Sequence, residues 1–516
     1  MPANGAGANC EGLDRSAFDE TLDLVALRIP AKLCTEYLRE LKGVIFSRSR
    51  MKRIFNDNSE GGKDKRLVLL KPEITLDDFK AGGGGGIQQQ HIDFVTRHGG
   101  EPVPFSLQLG YENLGVDEVL KAVLPQGVEV PSSFEQAGHV AHVNIRDEVL
   151  SYKQVIGQVI LDKNYPQIKT VVNKLGQISN EYRTFPLEVI AGQQDLHVSL
   201  KESGANFSFN FADVYWNSRL QMEHKRVIDL IRARSATSVE PLVVADMMAG
   251  IGPFAVPLAM PFSDVHKGST KKNKRDEDGS AGQGKREADS TAKEGKKQQQ
   301  QQRNPSIQVH ANDLNPASYA AMLHNAKINK IKHVVPNISG DDVDCTDEVG
   351  SDAPLLVYNQ CGRAFLRALV ARTRVLPNEI LMNLPANATD FLDSMVGLAV
   401  LAGVKKEGET HASGSHGGRT ARPVMPRVHV YGFSSADDPI VDMAERACGR
   451  MGCSIAALGT RDTSSNVASP GKWAGHLVRD VAPKKLMICL SFFVPEEVAY
   501  AAPPSDSESN KRKREN

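Results

Sequence analysis

Residues 245–259 read ADMMAGIGPFAVPLA and follow directly on the apolar run PLVV at 241–244. An apolar run, an acid, two glycines one residue apart and an apolar helix-like stretch are typical of the strand-to-helix turn that binds a nucleotide. The glycine pattern is incomplete for a dinucleotide, and the GKS or GKT sequence of a phosphate-binding P-loop is missing. The stretch therefore predicts a ligand that carries a nucleoside, without deciding which one.

The last half of the sequence alternates segments of strand and helix character, which predicts a doubly wound parallel sheet of the α/β class. The two final strands must be antiparallel, because their link is too short for the crossover that a parallel pair needs. By fold analogy this order is typical of Rossmann-like methyltransferases. Strands are expected at 241–246, 306–313, 379–385, 427–434, 476–483 and 485–494, and helices from Phe254 and over 315–329, 386–403 and 439–452.

The length of 516 residues allows several domains. Residues 1–125 carry one amphipathic pattern, near 30–46, and are expected to form a variable N-terminal domain. Residues 126–235 are expected to form a smaller α/β domain, residues 236–500 the methyltransferase-like domain and residues 501–516 a disordered basic tail. The strand-like segments of the middle domain are 139–145, 152–164, 185–192, 195–200 and 207–217.

Three segments have the composition of disordered insertions. Residues 81–90 read AGGGGGIQQQ, residues 263–304 are highly charged, and residues 405–423 are rich in glycine, serine and histidine. Such segments cannot bury enough apolar surface to offset the entropy lost on ordering. When 263–304 is set aside, the strand at 306–313 follows the glycine turn at the distance usual for this fold.

The bulk composition narrows the choice of protein class. Lysine and arginine balance aspartate and glutamate at 62 each, and the seven cysteines include no CxxC pair. These features favour reduced thiols over a disulfide framework. No apolar run has the ~18 residues of a membrane span. His139 and His142 have no cluster of cysteines or acids around them, so we expect structural histidines and no metal site.

The residues of the glycine turn indicate which nucleoside is bound. After Gly250 and Gly252 come Pro253 and Phe254, where a dinucleotide site has a third glycine. S-adenosylmethionine has no phosphate and carries a cationic sulfonium, which suits Asp246 at the end of the first strand. Asp313 ends the second strand, where an acid of the dinucleotide fold accepts both ribose hydroxyls.

Several separated motifs now carry a resemblance to a known family. Residues 211–228 read FADVYWNSRLQMEHKRVI, and DMMAGIGPF, ANDLNP, NLPANA and VRDVAPKK follow in that order. Over about 126–495, and more loosely before that, the sequence closely resembles the eukaryotic and archaeal tRNA guanine-37 N1-methyltransferases. The resemblance implies a class I methyltransferase domain, a middle α/β domain and an N-terminal domain that helps to dock the tRNA.

The chemistry of this reaction calls for a base and a cation. N1 of guanine is protonated at neutral pH, so a base must remove the proton while the charge that spreads toward O6 is stabilised. The resemblance implies that Glu223 is the general base and Arg183 the cation. It also implies that Asn383 positions the guanine and that Tyr215 stacks or bonds near it. The cofactor residues that it implies are His224, Asp246, Gly250, Gly252, Asp313, Leu314, Gly340, Asp341, Asp342, Asn383 and Pro385.

Some assignments keep an alternative. Family members have an acid directly before Gly340, whereas this sequence has Ser339, so the adenine contact is assigned to Asp341 or Asp342. Glu223 with its basic neighbours also fits a salt-bridged helix face. Arg183 also fits a surface arginine at a strand end, and Tyr215 a core aromatic.

The same residues also fit two other functions. One is the transfer of the aminocarboxypropyl group of the same cofactor to a modified tRNA base, and the other is RNA binding without catalysis. The NLP motif and EHKR favour methyl transfer. The expected partner is a tRNA with guanosine at position 37, bound by a monomer without a membrane. The resemblance implies the mitochondrial matrix, nucleus and cytoplasm, and the terminal KRKR fits either a nuclear import signal or a solvated tail.

Overall fold

The structure is a computed structural model that describes residues 8–9, 12–59, 62–176, 181–261, 307–336, 352–406, 424–465 and 467–503. Its contacts divide the chain into two units. The first unit comprises residues 1–178 and 185–196, and the second comprises residues 179–184 and 197–516. The predicted segments 263–304 and nearly all of 405–423 and 501–516 lie outside the described residues.

The first unit begins with a short strand pair, β1 (Ala8–Asn9) and β2 (Gly12–Leu13). An antiparallel sheet of order β4-β5-β3-β6 follows. Successive side chains of a strand point to opposite faces, and the longest strand buries Val25 and Leu27 in one apolar cluster and Leu24 and Ala26 in another. The strands are β3 (Glu20–Pro30), β4 (Phe55–Asn56), β5 (Lys65–Leu69) and β6 (Glu101–Leu109), and the helices are α1 (Cys34–Glu40), α2 (Leu76–Ala81) and α3 (Gln89–Arg97).

The glycine run at 81–90 is an ordered turn between α2 and α3, so the prediction of a disordered insertion is wrong here. Gly82 caps α2 at φ 80°, and Gly84 pairs with Ile87. A Cβ on Gly85 would lie 2.0 Å from the carbonyl oxygen of Glu73. Glycine is therefore required by a tight turn, which composition alone does not distinguish from disorder.

A second sheet of the first unit has the order β10-β9-β8-β7. Its members are β7 (Glu135–Ala137), β8 (Val140–Val143), β9 (Thr170–Lys174) and β10 (Leu187–Gly192), with helices α4 (Val116–Val123) and α5 (Lys153–Asn164). Residues 152–164 were expected to be strand-like, but almost all of them form the helix α5, so this prediction is wrong. The pair β8 and β9 is parallel, and a parallel pair needs such a crossover. Buried Val155, Ile156, Val159 and Ile160 recur at helical spacing.

Both histidines of the β8 region have protein partners. Nε2 of His139 lies 3.1 Å from the carbonyl oxygen of Asp195. His142 is buried, with Nε2 3.6 Å from Oε2 of Glu135. These contacts agree with structural roles.

The second unit opens with a hairpin, β11 (His197–Glu202) and β12 (Ala205–Asn210), followed by α6 (Gln221–Thr237). The hairpin is tied to α8 (Pro316–Ile328) of the same unit, because the N–H groups of Ser208 and Asn206 donate to Asn325 and Asn329. The division of the chain therefore falls near residue 197, whereas the predicted middle domain continued to 235.

A nine-stranded sheet forms the centre of the second unit, in the order β15-β16-β14-β13-β17-β18-β21-β20-β19. Neighbours from β15 to β18 are parallel, and β21 is antiparallel to β18 and to β20. The predicted doubly wound sheet with a final hairpin is confirmed. The strands are β13 (Leu242–Asp246), β14 (Ile307–Asn312), β15 (His333–Val334), β16 (Leu355–Tyr358), β17 (Glu379–Met382), β18 (Arg427–Ser434), β19 (Thr460–Arg461), β20 (Lys472–Ala482) and β21 (Lys485–Phe493).

The remaining helices of this unit are α7 (Ala255–Ala259), α9 (Gly362–Thr373), α10 (Leu398–Leu401), α11 (Pro439–Met451) and α12 (Glu496–Ala499). The helix predicted over 386–403 is divided into a 3-10 helix, Ala388–Met395, and α10, because Gly397 between them has φ 81°. Among the described residues, no helix combines the length and apolarity needed to cross a membrane.

Candidate active site

The candidate site lies where three neighbouring parallel strands end. Asp246, the last residue of β13, is in register with Ala311 of β14 and with Leu381 of β17. Asp313 and Asn383 each follow one residue after the end of their strand. Three predicted site residues therefore meet at the carboxyl edge of the sheet, where ligands of open α/β sheets bind.

The glycine turn above this edge needs both of its glycines. Gly250 has φ 56° and Gly252 has φ 93°, a region that side chains rarely allow. A Cβ on Gly252 would lie 2.7 Å from Cγ2 of Val256, whereas a Cβ on Gly250 would meet no atom within 4 Å. Gly252 thus serves packing, and Gly250 leaves room for a ligand to approach the backbone. The helix α7 begins at Ala255 and not at Phe254 as predicted.

Asp246 is fully buried, and neither carboxyl oxygen has a well-aligned hydrogen-bond partner among the described residues. Burial, and then the nearby charge of Asp313, raise the pKa of Asp246 to about 8. A buried carboxyl group in such surroundings is stabilised in its ionised form by a cation. The position therefore suits a positively charged ligand, as the sequence predicted.

Asp313 connects the glycine turn to the end of β14. Its Oδ2 accepts from the N–H of Gly250 at 2.8 Å, and its Oδ1 accepts from the N–H of Asn315 at 2.9 Å. Burial raises the pKa of Asp313 in spite of these two bonds. Each oxygen keeps a further acceptor direction, so the carboxylate can hold the turn and still receive hydroxyl groups. The adjacent Leu314 is 44% exposed.

Asn312, which the sequence did not single out, fixes the same edge from inside the protein. Its Nδ2 donates to the carbonyl oxygens of Met247 and Gln360, and its Oδ1 accepts from the N–H of Gln360. The side chain is fully buried. It thereby ties the ends of β13, β14 and β16 together.

The loop after β17 contains a second unsatisfied acceptor. Oδ1 of Asn383 is buried without a hydrogen-bond partner among the described residues. Further along this loop, past Pro385, the side chain of Asn387 accepts a hydrogen bond from the guanidinium of Arg183. Burial lowers the pKa of Arg183, and the electrostatic influence of nearby Tyr215 acts against this shift. Arg183, the Asn383 loop and Tyr215, which is 42% exposed, therefore lie in one region.

Glu223 lies near the start of α6 with its carboxylate held by three elements. Nε and Nη2 of Arg226 donate to its two oxygens at 2.7 Å, and the hydroxyl of Tyr431 donates to Oε1 at 2.7 Å. Nε2 of His476 lies 3.4 Å from Oε2. Burial acts to raise the pKa of Glu223, but these partners outweigh it and lower the pKa to about 2. The salt-bridged arrangement considered from the sequence is therefore present in the structure.

His224 lies against the glycine turn. Its Nδ1 is 2.6 Å from Oε1 of buried Glu202, and its ring makes an edge contact with Phe254 at 4.8 Å between centroids. Trp216 is buried with its ring centroid 6.5 Å from that of His224, and its indole N–H has no hydrogen-bond partner among the described residues. These contacts place His224 beside Phe254 at the end of the glycine turn, and its role beside the cofactor stays a prediction.

The predicted adenine contacts, Gly340, Asp341 and Asp342, lie outside the described residues. Within the described ranges, no group of three or more histidine, cysteine or acidic side chains is arranged to hold a metal ion. The sequence carried no signal for Tyr431 or His476, because both reach Glu223 from strands more than 200 residues further along the chain.

A doubly wound sheet of this order, with a glycine turn after its first strand and acids at the ends of two strands, defines a class I S-adenosylmethionine-dependent methyltransferase. The chain is 35% identical over 510 residues to the tRNA (guanine(37)-N(1))-methyltransferase of Phytophthora infestans, covering 97% of each. It is 33% identical to the enzyme of that name from Danio rerio, covering 96% of this chain and 84% of the relative. The chain belongs to the tRNA (guanine(37)-N(1))-methyltransferase family.

Solved structures agree with the fold. The Trm5b structure from Pyrococcus abyssi is 20% identical, with a TM-score of 0.50 over 91% of this chain and 99% of that chain. The structure described as the complex of aTrm5 and tRNALeu is 17% identical, with a TM-score of 0.51 over the same shares. A family model described as the TYW2 N-terminal domain matches residues 116–195, most of which belong to the first unit.

Proposed function

We propose that this chain transfers the methyl group of S-adenosylmethionine to N1 of guanosine 37 in tRNA. The observation that carries the proposal is a pair of buried acceptors that have no well-aligned hydrogen-bond partner among the described residues, the Asp246 carboxyl group and Oδ1 of Asn383, at neighbouring strand ends beside an open glycine turn. Such groups are costly to bury unless a ligand satisfies them. Family membership supplies the substrate, a tRNA with guanosine at position 37.

The residues present fit the cofactor. When bound, S-adenosylmethionine would supply the methyl group and a positive charge. Asp246 would stabilise that charge, Asp313 would offer its free acceptor directions to the ribose, and Gly250 would let the ligand approach the backbone. We assign the adenine end to Asp341 or Asp342 and further contacts to His224, Leu314 and Pro385.

The target guanine is expected on the side of Arg183, Tyr215 and the Asn383 loop. The base must leave the anticodon stack to reach a pocket, and Tyr215 is exposed enough to stack on it. Arg183 stabilises the charge that spreads to O6, since its guanidinium already lies beside this loop. Asn383 orients the edge of the base through its unsatisfied oxygen.

Glu223 removes the N1 proton in this mechanism. A carboxyl group with a pKa of about 2 is ionised at every physiological pH and is ready to accept. Arg226 and Tyr431 hold it in one orientation, which reduces the entropy lost when the guanine arrives. The same partners make it a weak base, so a proton on Glu223 must leave quickly.

No described contact favours aminocarboxypropyl transfer or RNA binding without catalysis, and the relatives above carry the methyltransferase name. The mitochondrial, nuclear and cytoplasmic locations and the monomeric state stay predictions. The terminal KRKR lies outside the described residues. Fluorescent fusions with and without residues 504–516 would test the nuclear part.

The test compares two tRNA transcripts that differ only in guanosine or adenosine at position 37. The wild-type protein should add the mass of one methyl group to the first and nothing to the second. Glu223→Gln, which keeps the shape of the side chain, should slow methylation by about 100-fold or more. A mass gain of an aminocarboxypropyl group, or no gain on any tRNA, would refute the proposal. Full activity of Glu223→Gln would refute the assignment of the base alone.

A further inference from the structure

The carboxylate of Glu223 has one loosely occupied acceptor direction. A carboxylate offers about four such directions. Arg226 fills one on each oxygen and Tyr431 fills the second on Oε1, all at 2.7 Å. On Oε2 the remaining direction faces Nε2 of His476 at 3.4 Å, longer than the usual 2.9 to 3.0 Å of such bonds. A guanine N–H that approaches Glu223 must therefore arrive beside His476.

The partners of Glu223 differ in their ability to take a proton from it. Arg226 stays charged and can only donate. Tyr431 is fully buried, and burial raises its pKa well above the ordinary value, so it remains a donor. The thiol of Cys489 is likewise buried in β21, and burial raises its pKa to about 12. His476, on β20, has a side chain that is 24% exposed and reaches both Glu223 and water.

We propose that His476 receives the proton that Glu223 takes from guanine N1 and passes it on to water. The inference rests on the proposed role of Glu223 as the base. The N1–H bond breaks and an O–H bond forms on Glu223 as N1 bonds to the methyl carbon and the thioether leaves. The proton then moves to Nε2 of His476, which starts in the tautomer with its proton on Nδ1, and Nδ1 releases its own proton to water. No electron is gained or lost, Glu223 is again ionised and His476 is again neutral, and proton exchange with water returns the ring to its starting tautomer.

The direction of this transfer follows from the environment of the two groups. The contacts with Arg226 and Tyr431 stabilise ionised Glu223, so its protonated form gives up the proton readily. A neutral imidazole is the side chain that ordinarily accepts protons near neutral pH. His476 does not touch the substrate in this scheme. It acts on the substrate only through Glu223, and in that sense we call it a positioning residue.

The test is the single-turnover methylation rate of the full-length protein on a guanosine-37 transcript, measured across the pH range. His476→Gln keeps a polar side chain beside Glu223 but cannot accept a proton, and His476→Ala leaves space for added imidazole. We expect the rate to fall by about 100-fold in both variants. The affinities for S-adenosylmethionine and tRNA should stay within about two-fold. Imidazole should restore His476→Ala by about ten-fold or more, and the acidic limb of the wild-type profile should disappear in His476→Gln.

The matched control is His197→Ala, which removes an exposed histidine of β11 that contacts Ser208. Its rate should equal the wild-type rate and should not respond to imidazole. A His476→Gln rate within about three-fold of wild type would overturn the inference. The inference would also be overturned if His476→Ala were slow, imidazole did not restore its rate, and the pH profile of His476→Gln were the same as that of the wild type. If Glu223→Gln is inactive in either case, the proposed function stands and only the role of His476 fails.

Discussion

At the scale of single residues, we expect Asp246 to make the binding of the cofactor depend on pH. Because its pKa of about 8 is raised by burial, most of the ligand-free protein holds this carboxyl group protonated at pH 7. A cationic ligand favours the ionised form, so binding must release a proton. Affinity for S-adenosylmethionine should therefore rise as pH increases from 6 to 8 and level off above it, by at most about ten-fold per pH unit.

Titration calorimetry in two buffers of different ionisation heat measures this proton release directly. Asp246→Asn removes the titrating group, so its affinity should be lower and should not change between pH 6 and 8. The exposed Asp437, which precedes α11, provides a control as Asp437→Asn, with wild-type affinity and pH dependence. Equal proton release by wild type and Asp246→Asn would contradict the assignment of the proton to this residue.

Residue by residue, the sequence predicted the parts of the site that follow a strand. Asp246, Asp313 and Asn383 were recognisable because the carboxyl ends of parallel strands meet at one edge. The partners of Glu223 were not, since Tyr431 and His476 lie in strands that become its neighbours only when the sheet closes. The buried Asn312 could not be recognised either. An asparagine at the end of a strand looks the same in the sequence whether its side chain fixes neighbouring loops or faces solvent.

At the scale of elements, the sequence predicted strands well where β-branched and aromatic residues were bounded by turn residues. β18 matches its expected limits at both ends. Residues 152–164 are also rich in valine and isoleucine, which favours a strand. Their buried residues nevertheless recur at helical spacing, and the parallel pairing of β8 with β9 requires a crossover there. The short strand β16 was not singled out.

The starts of β17 and β18 are joined by a buried ionic cluster around Glu379. Its carboxylate accepts hydrogen bonds from both Nε and Nη2 of Arg427, and its Oε2 lies 3.1 Å from Nε2 of His429. Burial acts to raise the pKa of Glu379, but His429 and Arg427 lower it to about 2. This interaction therefore stabilises the fold above the unfolded pKa of about 4.3 and is lost as pH falls toward 2.

Glu379→Gln should lower the free energy of unfolding by about 3 to 5 kcal/mol at pH 7, because Arg427 is left as an uncompensated buried charge. Urea denaturation at pH 7 and at pH 3 measures the effect, and the gap between variant and wild type should shrink at the lower pH. Glu445→Gln, on the exposed face of α11, should cost less than about 0.5 kcal/mol. An equal cost for the two variants would contradict the role of the cluster.

At the scale of the whole molecule, the predicted order of the second unit was correct, while the division of the chain was not visible in the sequence. The hairpin β11–β12 has the same alternating pattern as the strands of the first unit. It belongs to the second unit because Asn325 of α8 and Asn329, which directly follows this helix, accept hydrogen bonds from its backbone. Side-chain hydrogen bonds of this kind across more than 100 residues leave no periodic trace, so the boundary near 197 could be found only from the structure.

The net charge of zero makes tRNA binding a question of where positive charge is concentrated. A protein that neutralises phosphates releases counterions, and for about five contacts the affinity falls about 500-fold between 50 and 200 mM salt. Lys52 and Arg53, exposed in the first unit within the basic stretch 47–53, are candidates for two of these contacts. Replacing both by alanine should weaken binding and reduce the slope of log affinity against log salt by about two.

Filter binding of a guanosine-37 transcript over this salt range measures the slope. Affinity for S-adenosylmethionine under the same conditions is the internal control. It should change little, because the fully buried Asp246 is screened weakly by salt. A tRNA affinity that varied less than about three-fold would mean that phosphate contacts are few. The neutral chain would then have to bind its substrate mainly through the bases and the shape of the anticodon arm.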